Sequence, residues 1–380
     1  MNIKRNLTEA TLIVVILVLL QGCRQENANP APPVTTSKNY PGAIEVDGAS
    51  QTAPYAVVQV FYGTDRNLTS NSKPAEMYGV DRGSISYGQC KVSIPRDHRM
   101  GELEAPSIWK LEFREDPEKH VVLLSVSPLD KTNFFSEVSA RIDASRGKNA
   151  FIFIHGYNVT FEDAARRTAQ MSYDLGFDGA PVFYSWPSQG TFKGYPVDET
   201  NIEWTQANLQ RFLDDFAHRT DAQNIYLIAH SMGNRALSRA FAGLLAQNPA
   251  IRQKFRAVIL AAPDIDAEVF KRDIAPQIVG TNPVVTLYGS SADMALKASK
   301  EFHKYPRLGD TGAGLVVLPG METIDATAVD TSFLGHSYVS ENRSVLSDIF
   351  YLIRDGKPAE QRFGLKPKGT PPQRYWVFEP

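Results

Sequence analysis

Ser231 stands in Ala229-His230-Ser231-Met232-Gly233, between an apolar run at 225–228 and a helical pattern over 236–245. Small residues flanking a serine at a strand-to-helix junction suit a sharp turn that presents a hydroxyl for attack, because the two backbones approach closely there. A serine hydroxyl is a weak nucleophile and needs a base, itself oriented by a carboxylate. The chain order that goes with such an elbow is serine, acid, histidine. His303 and His336 both follow Ser231. His303 falls within a helical pattern at 295–303, whereas His336 lies in Leu334-Gly335-His336-Ser337, in a loop beyond the last apolar run. His336 is the expected base. Asp293 follows the run at 284–287 and is the favoured acid; Asp264, in Ala262-Pro263-Asp264, is the alternative acid, and Asp325 is a third, with a capping role as its plainer reading. Acyl chemistry also needs donors for a developing oxyanion. The backbone N–H of Met232, next to the nucleophile, is one expectation. The other is the N–H of Tyr157, in His155-Gly156-Tyr157-Asn158. Each such donor lowers a barrier by roughly 2.7–4 kcal/mol. His155 itself reads as a brace for its loop.

The elements that must position these groups follow from periodicity. Short β-like runs at 57–62, 92–94, 108–113 and 121–126, separated by Gly, Pro and charged turns, predict an N-terminal sheet extension, antiparallel in part. From residue 150 strands alternate with helices. Apolar runs at 151–154, 182–184, 225–228, 258–260, 284–287 and 315–318 read as strands. Thr160-Phe161-Glu162-Asp163 resembles a capping box with Thr160 as N-cap, and Gly176 marks that helix's end. Such alternation predicts a mostly parallel central sheet with helices on both faces. In these folds the site lies beyond the carboxyl ends of the strands, where Ser231 and its expected partners fall. The loop at 187–202, with Trp186, Phe192 and Tyr195, is the expected rim of the substrate pocket.

Several segments together carry a resemblance. Phe153-Ile154-His155-Gly156-Tyr157-Asn158, Tyr184-Ser185-Trp186-Pro187-Ser188 and Ala229-His230-Ser231-Met232-Gly233-Asn234-Arg235 occur in that order. Ala262-Pro263-Asp264, Asp293-Met294-Ala295-Leu296, Arg307-Leu308-Gly309-Asp310 and Gly335-His336-Ser337-Tyr338 follow them. The set resembles a bacterial α/β-hydrolase family of unknown function, described as esterase/lipase-like, over about 55–353. The resemblance implies the α/β-hydrolase fold and a Ser-Asp-His triad, and leaves the substrate open.

The N-terminus reads as an address. Lys4 and Arg5 precede an apolar run at 12–20, too short for the roughly 20 residues that span a bilayer. It ends in Leu20-Gln21-Gly22-Cys23, which resembles the lipobox of bacterial lipoproteins and implies lipidation of Cys23. Residues 24–52 are a polar, Pro/Ser/Thr-rich linker, 53–355 the hydrolase domain and 356–380 an extended tail. Arg24 after Cys23 favours an outer-membrane destination facing the periplasm. The 380 residues are 43% hydrophobic and 22% charged, enough for a sizeable core. A net charge of -2 without a basic cluster argues against nucleic acid. Two cysteines and no metal or dinucleotide motif predict no metal and no cofactor. The expected activity is hydrolysis of a small-molecule or lipid ester, with no protein partner predicted. Two alternatives remain: acyl transfer on the same fold, and a non-catalytic envelope lipoprotein that binds a ligand or partner.

Overall fold

Asn149–Ile154 shows why the sheet is central: its residues alternate between two apolar layers, so neither face meets water. Ala150, Ile152 and Ile154 enter one core and Phe151 and Phe153 the other. Burying each such side chain contributes about 1.5–3 kcal/mol. The computed structural model describes residues 54–106, 112, 114–312, 314–329 and 343–378. Its strands are β1 (Tyr55–Leu68), β2 (Tyr78–Pro95), β3 (Val122–Leu129), β4 (Asn149–Ile154), β5 (Ala180–Ser185) and β6 (Asn224–His230). They continue with β7 (Phe255–Ala261), β8 (Val284–Gly289), β9 (Met321–Asp325), β10 (Leu365–Lys368) and β11 (Tyr375–Phe378). The longer helices are α1 (Lys131–Asp143), α2 (Phe161–Asp174), α3 (Tyr195–Arg219), α4 (Gly233–Gln247), α5 (Met294–His303) and α6 (Arg343–Asp355).

Among the described residues these strands form one sheet in the order β10-β11-β9-β8-β7-β6-β4-β5-β1-β2-β3. From β9 to β1 every neighbouring pair is parallel. The mostly parallel sheet with helices on both faces is therefore as expected. Side chains of α1, α3 and α4 fill one core, and those of α2 and α6 the other. The N-terminal extension is also present, as the antiparallel β1-β2-β3. Its β1 additionally pairs in parallel with β5, which makes β1 an internal strand. The capping box forms: Thr160 Oγ1 accepts from the Asp163 N–H at 3.1 Å, and the Thr160 N–H donates back to Asp163 at 3.2 Å.

One expectation is corrected. The run at 315–318 is a loop, and the strand is β9, starting at Met321. Pro319 lacks a donor and Gly320 has φ +84°, so the chain turns there, and the Met321 N–H closes the turn on the Leu318 carbonyl at 3.1 Å. The loop is apolar because it packs inside: Val316 is buried, and Thr323 Oγ1 donates to its carbonyl at 2.8 Å. The extended tail packs on the domain. β10 and β11 make a hairpin whose second strand pairs in parallel with β9. Pro367 is tolerated because β10 is an edge strand. Of the run expected at 108–113, only residue 112 lies within the described residues, and residues 1–53, with Cys23 and the linker, lie outside them.

Candidate active site

Ser231 follows β6 and precedes α4, and its φ is +48°, in the left-handed region that side chains with a Cβ seldom adopt. Strand and helix are joined through only Ser231 and Met232, and the reversal falls on Ser231, which forces its conformation. The surrounding bonds hold it. The Ser231 N–H donates to the Ala261 carbonyl at 3.0 Å, and the Ser231 carbonyl accepts from the Asp264 N–H at 3.2 Å. Asn234 Nδ2 donates to the carbonyls of Ser231 and Ala261 at 3.0 and 3.1 Å, stitching the elbow to the end of β7. Holding a residue in such a region costs of order 1–3 kcal/mol, and persists where the surroundings over-determine it.

Two glycines permit the close approach. A Cβ on Gly233 would lie 2.3 Å from the His155 carbonyl oxygen, and one on Gly156 would lie 2.9 Å from His230 Nδ1 and 3.0 Å from Ser231 Cβ. The loop after β4 is thus packed directly against the elbow. It carries Tyr157, and Met232 opens α4 beside Ser231, so both expected donor positions border the nucleophile's turn.

His155 braces that loop. Its ring stacks on Trp186 with centroids 5.1 Å apart and planes 14° apart, and its Nδ1 lies 2.8 Å from the Gly156 carbonyl. Burial, with the nearby Arg66 charge, pushes its pKa down to about 3, so the ring is neutral at any working pH. Trp186 is fully buried, and its indole N–H donates to the His155 carbonyl at 2.8 Å. It belongs to the core rather than to the expected rim, because an indole wedged under this loop is the support the loop rests on. Phe192, by contrast, is 77% exposed. Tyr195 is half-buried, edge-on to the Tyr157 ring at 5.1 Å, and the Tyr157 hydroxyl donates to the carbonyls of Thr191 and Phe192. Phe192 and Tyr195 thus lie on a segment fixed over Tyr157.

The carboxylates differ in surroundings. Asp264 is 3% exposed; one oxygen accepts from Tyr195 Oη and Arg235 Nη2, both at 2.9 Å, and the other from Ser299 Oγ at 2.6 Å. Arg307 Nε pairs with it at 3.2 Å. Burial alone would raise its pKa, but Arg235 and Arg307 outweigh burial and hold the carboxyl below its ordinary value. Both oxygens are taken by cations and hydroxyls, the surroundings of a structural counter-ion. Asp293 is half-buried in the loop after β8 and caps α5, accepting from the Leu296 N–H at 3.0 Å. Asp325, at the end of β9, accepts from Thr311 Oγ1 at 2.7 Å and the Thr327 N–H at 3.0 Å, which ties the loops after β8 and β9 together through Thr327 and Ser291. His303 lies on α5 with Nε2 2.8 Å from Glu199. His336 lies outside the described residues. Among the described residues no group of three or more His, Cys, Asp or Glu side chains is arranged to hold a metal ion.

The sequence motifs include Ser185 and Asn234 without assigning them a role, and Arg66 lies outside every motif. Arg66 is fully buried at the end of β1; the signal was a charged pair, Asp65-Arg66, interrupting an apolar strand.

A family described as alpha/beta hydrolase of unknown function (DUF900) matches residues 130–355. No curated protein matches the chain. Among solved structures, the chain is similar to one from a study of two fungal esterases from Rhizomucor miehei, at 10% identity and a TM-score of 0.35, over 79% of this chain and 83% of that one. It is also similar to a structure of an arylesterase, at 15% identity and a TM-score of 0.31, over 56% of this chain and 76% of the other. The fold assignment rests on the family match and the sheet order.

Proposed function

Because the chain belongs to the α/β-hydrolase family of unknown function, we propose that it is a serine hydrolase that cleaves carboxylic esters through an acyl-enzyme on Ser231. The observation that carries this reading is the elbow: a serine at φ +48° at the carboxyl end of a central strand, with glycines at both close approaches. In the proposed reaction Ser231 Oγ attacks the ester carbonyl carbon while His336 takes its proton. The N–H groups of Met232 and Tyr157 stabilise the oxyanion. Collapse breaks the bond to the alcohol, which leaves with the proton from His336; water, activated by the same imidazole, then frees the acid. Asp293 holds His336 in the tautomer that accepts at the nitrogen facing Ser231. Asp264 is assigned a structural part, since its oxygens are engaged by Arg235, Arg307, Tyr195 and Ser299.

Fluorophosphonate labelling tests the assignment. The wild-type protein is expected to label, and Ser231→Ala and His336→Ala to lose the label. Asp293→Asn is expected to label roughly 10⁴-fold more slowly, because the wrong imidazole tautomer is favoured. Asparagine caps a helix about as well as aspartate, so that loss is separable from any effect on α5. Retained labelling in Ser231→Ala, or none in a folded wild-type protein, would sink the proposal.

We further propose that Cys23 carries a lipid that tethers the domain to the cell envelope, on the outer membrane facing the periplasm, through the linker at 24–52. The support is Leu20-Gln21-Gly22-Cys23 after a short apolar run. A clickable fatty acid fed to expressing cells should enter the wild-type protein and not Cys23→Ser; equal incorporation in both refutes the tether.

A further inference from the structure

Arg66 is buried at the end of β1, and its guanidinium is satisfied by neutral acceptors. Its Nη1 donates to the carbonyls of Gly79 and Ser188 at 3.0 and 2.9 Å, its Nη2 to the Val159 carbonyl at 2.8 Å, and its Nε to Ser185 Oγ at 2.8 Å. Ser185 Oγ lies 3.1 Å from His155 Nε2, and His155 Nδ1 lies 2.8 Å from the Gly156 carbonyl oxygen. The two ends of this chain fix the direction of every proton in it. A guanidinium only donates and a carbonyl only accepts. Ser185 therefore accepts from Arg66 and gives its own proton to His155 Nε2, and the neutral imidazole carries its hydrogen on Nδ1 and donates it to Gly156. The opposite tautomer would set a lone pair against the carbonyl oxygen.

The last acceptor matters because the Gly156 carbonyl and the Tyr157 N–H belong to one peptide group. In a trans peptide they point in opposite directions, so fixing the carbonyl on His155 fixes the N–H on the other side. A hydrogen bond to the carbonyl also withdraws charge from the group and makes its N–H a stronger donor, as in any chain of bonds aligned head to tail. We infer that Arg66, Ser185 and His155 are positioning residues that form a polarised relay, aiming and strengthening the Tyr157 N–H for the oxyanion formed on Ser231. This rests on the serine-hydrolase reading. The buried cation sits at the tail of the relay and the developing negative charge at its head, so every bond in it strengthens as the charge develops. Ground-state substrate gains little from it.

The test uses the full chain in detergent and an alkyl trifluoromethyl ketone with a ¹³C-labelled carbonyl, whose hemiketal oxygen titrates visibly in ¹³C spectra. The wild-type protein should form the adduct on Ser231. Ser185→Ala removes one oxygen from the relay and is expected to raise the adduct's oxyanion pKa by about one unit and to lower kcat about tenfold, with KM within twofold. His155→Phe keeps the stack on Trp186, severs the same relay, and carries the test if Ser185→Ala does not fold. The double variant should be no slower than His155→Phe alone, since both changes break one chain. Folded variants with unchanged oxyanion pKa and kcat overturn the relay while leaving the hydrolase intact. A wild-type protein that forms no adduct overturns the hydrolase reading, and the relay with it.

Discussion

Ser231→Ala is expected to hydrolyse an activated ester about 10⁴- to 10⁶-fold more slowly than the wild type, while melting at the wild-type temperature or above. The loss is large because the proposed triad works as a unit, and without the hydroxyl neither base nor acid has anything to act on. Stability should survive because Ser231 is held by its backbone: its N–H, its carbonyl and the Asn234 amide make the bonds that fix the elbow. Alanine keeps the Cβ and with it the strain of φ +48°. Ser231→Gly removes that strain, and should be more stable than Ser231→Ala by about 1 kcal/mol, the glycine's greater freedom when unfolded offsetting part of the gain. Denaturant melts of the pair read the strain stored at the elbow directly. A glycine variant less stable than the alanine variant would show the backbone there to be relaxed.

Asp264→Asn should destabilise the fold by about 3–5 kcal/mol, the usual effect of removing one partner from a buried ion pair and leaving the other charges uncompensated. Here Arg307 loses its carboxylate and Arg235 keeps only Glu199, both having stood within 3.2 Å of Asp264. The pH dependence has a definite sign. The folded carboxyl is held below its ordinary value, so its contribution is complete above the unfolded pKa of about 3.9. It is lost only as the pH falls through the lower folded value. The wild type's advantage over Asp264→Asn should therefore stay level from pH 8 to 5 and shrink below about 4. An advantage that peaks in acid would contradict the pairing. The comparison also separates the two aspartates: Asp293→Asn should keep its melting temperature and lose turnover, and Asp264→Asn the reverse.

The central sheet was legible because burial on both faces leaves its mark on composition. Phe151-Ile152-Phe153-Ile154 and Ile225-Tyr226-Leu227-Ile228 have no polar face to be confused with a surface strand. The elbow was legible for a related reason, since only small residues fit where His155, Gly156 and Gly233 meet. The strand at 315–318 misled because apolar composition reports burial, and Val316 is buried in a loop. Met321–Asp325 escaped notice because Glu322 and Asp325 interrupt it: Glu322 pairs with Arg362, and Asp325 holds Thr311. The tail strands were hidden by lysines and a proline that suit an edge. Arg66 was the hardest to see. An arginine in a strand ordinarily signals solvent, and only the folded chain brings three carbonyls and a serine around it.

The C-terminal hairpin has a consequence for how the protein survives its surroundings. β11 covers the open side of β9, and Arg362 anchors the segment leading to it by pairing with Glu322 and Asp348. Removing residues after Gly356 would bare the amides and carbonyls of β9 along an unpaired strand, the kind of border that recruits a neighbour's strand. Under the lipid tether proposed above, many copies on one membrane would meet at high local concentration, where such recruitment is fastest. The last turns of the chain then act as a selvage on the sheet, keeping neighbouring copies from zipping together side by side.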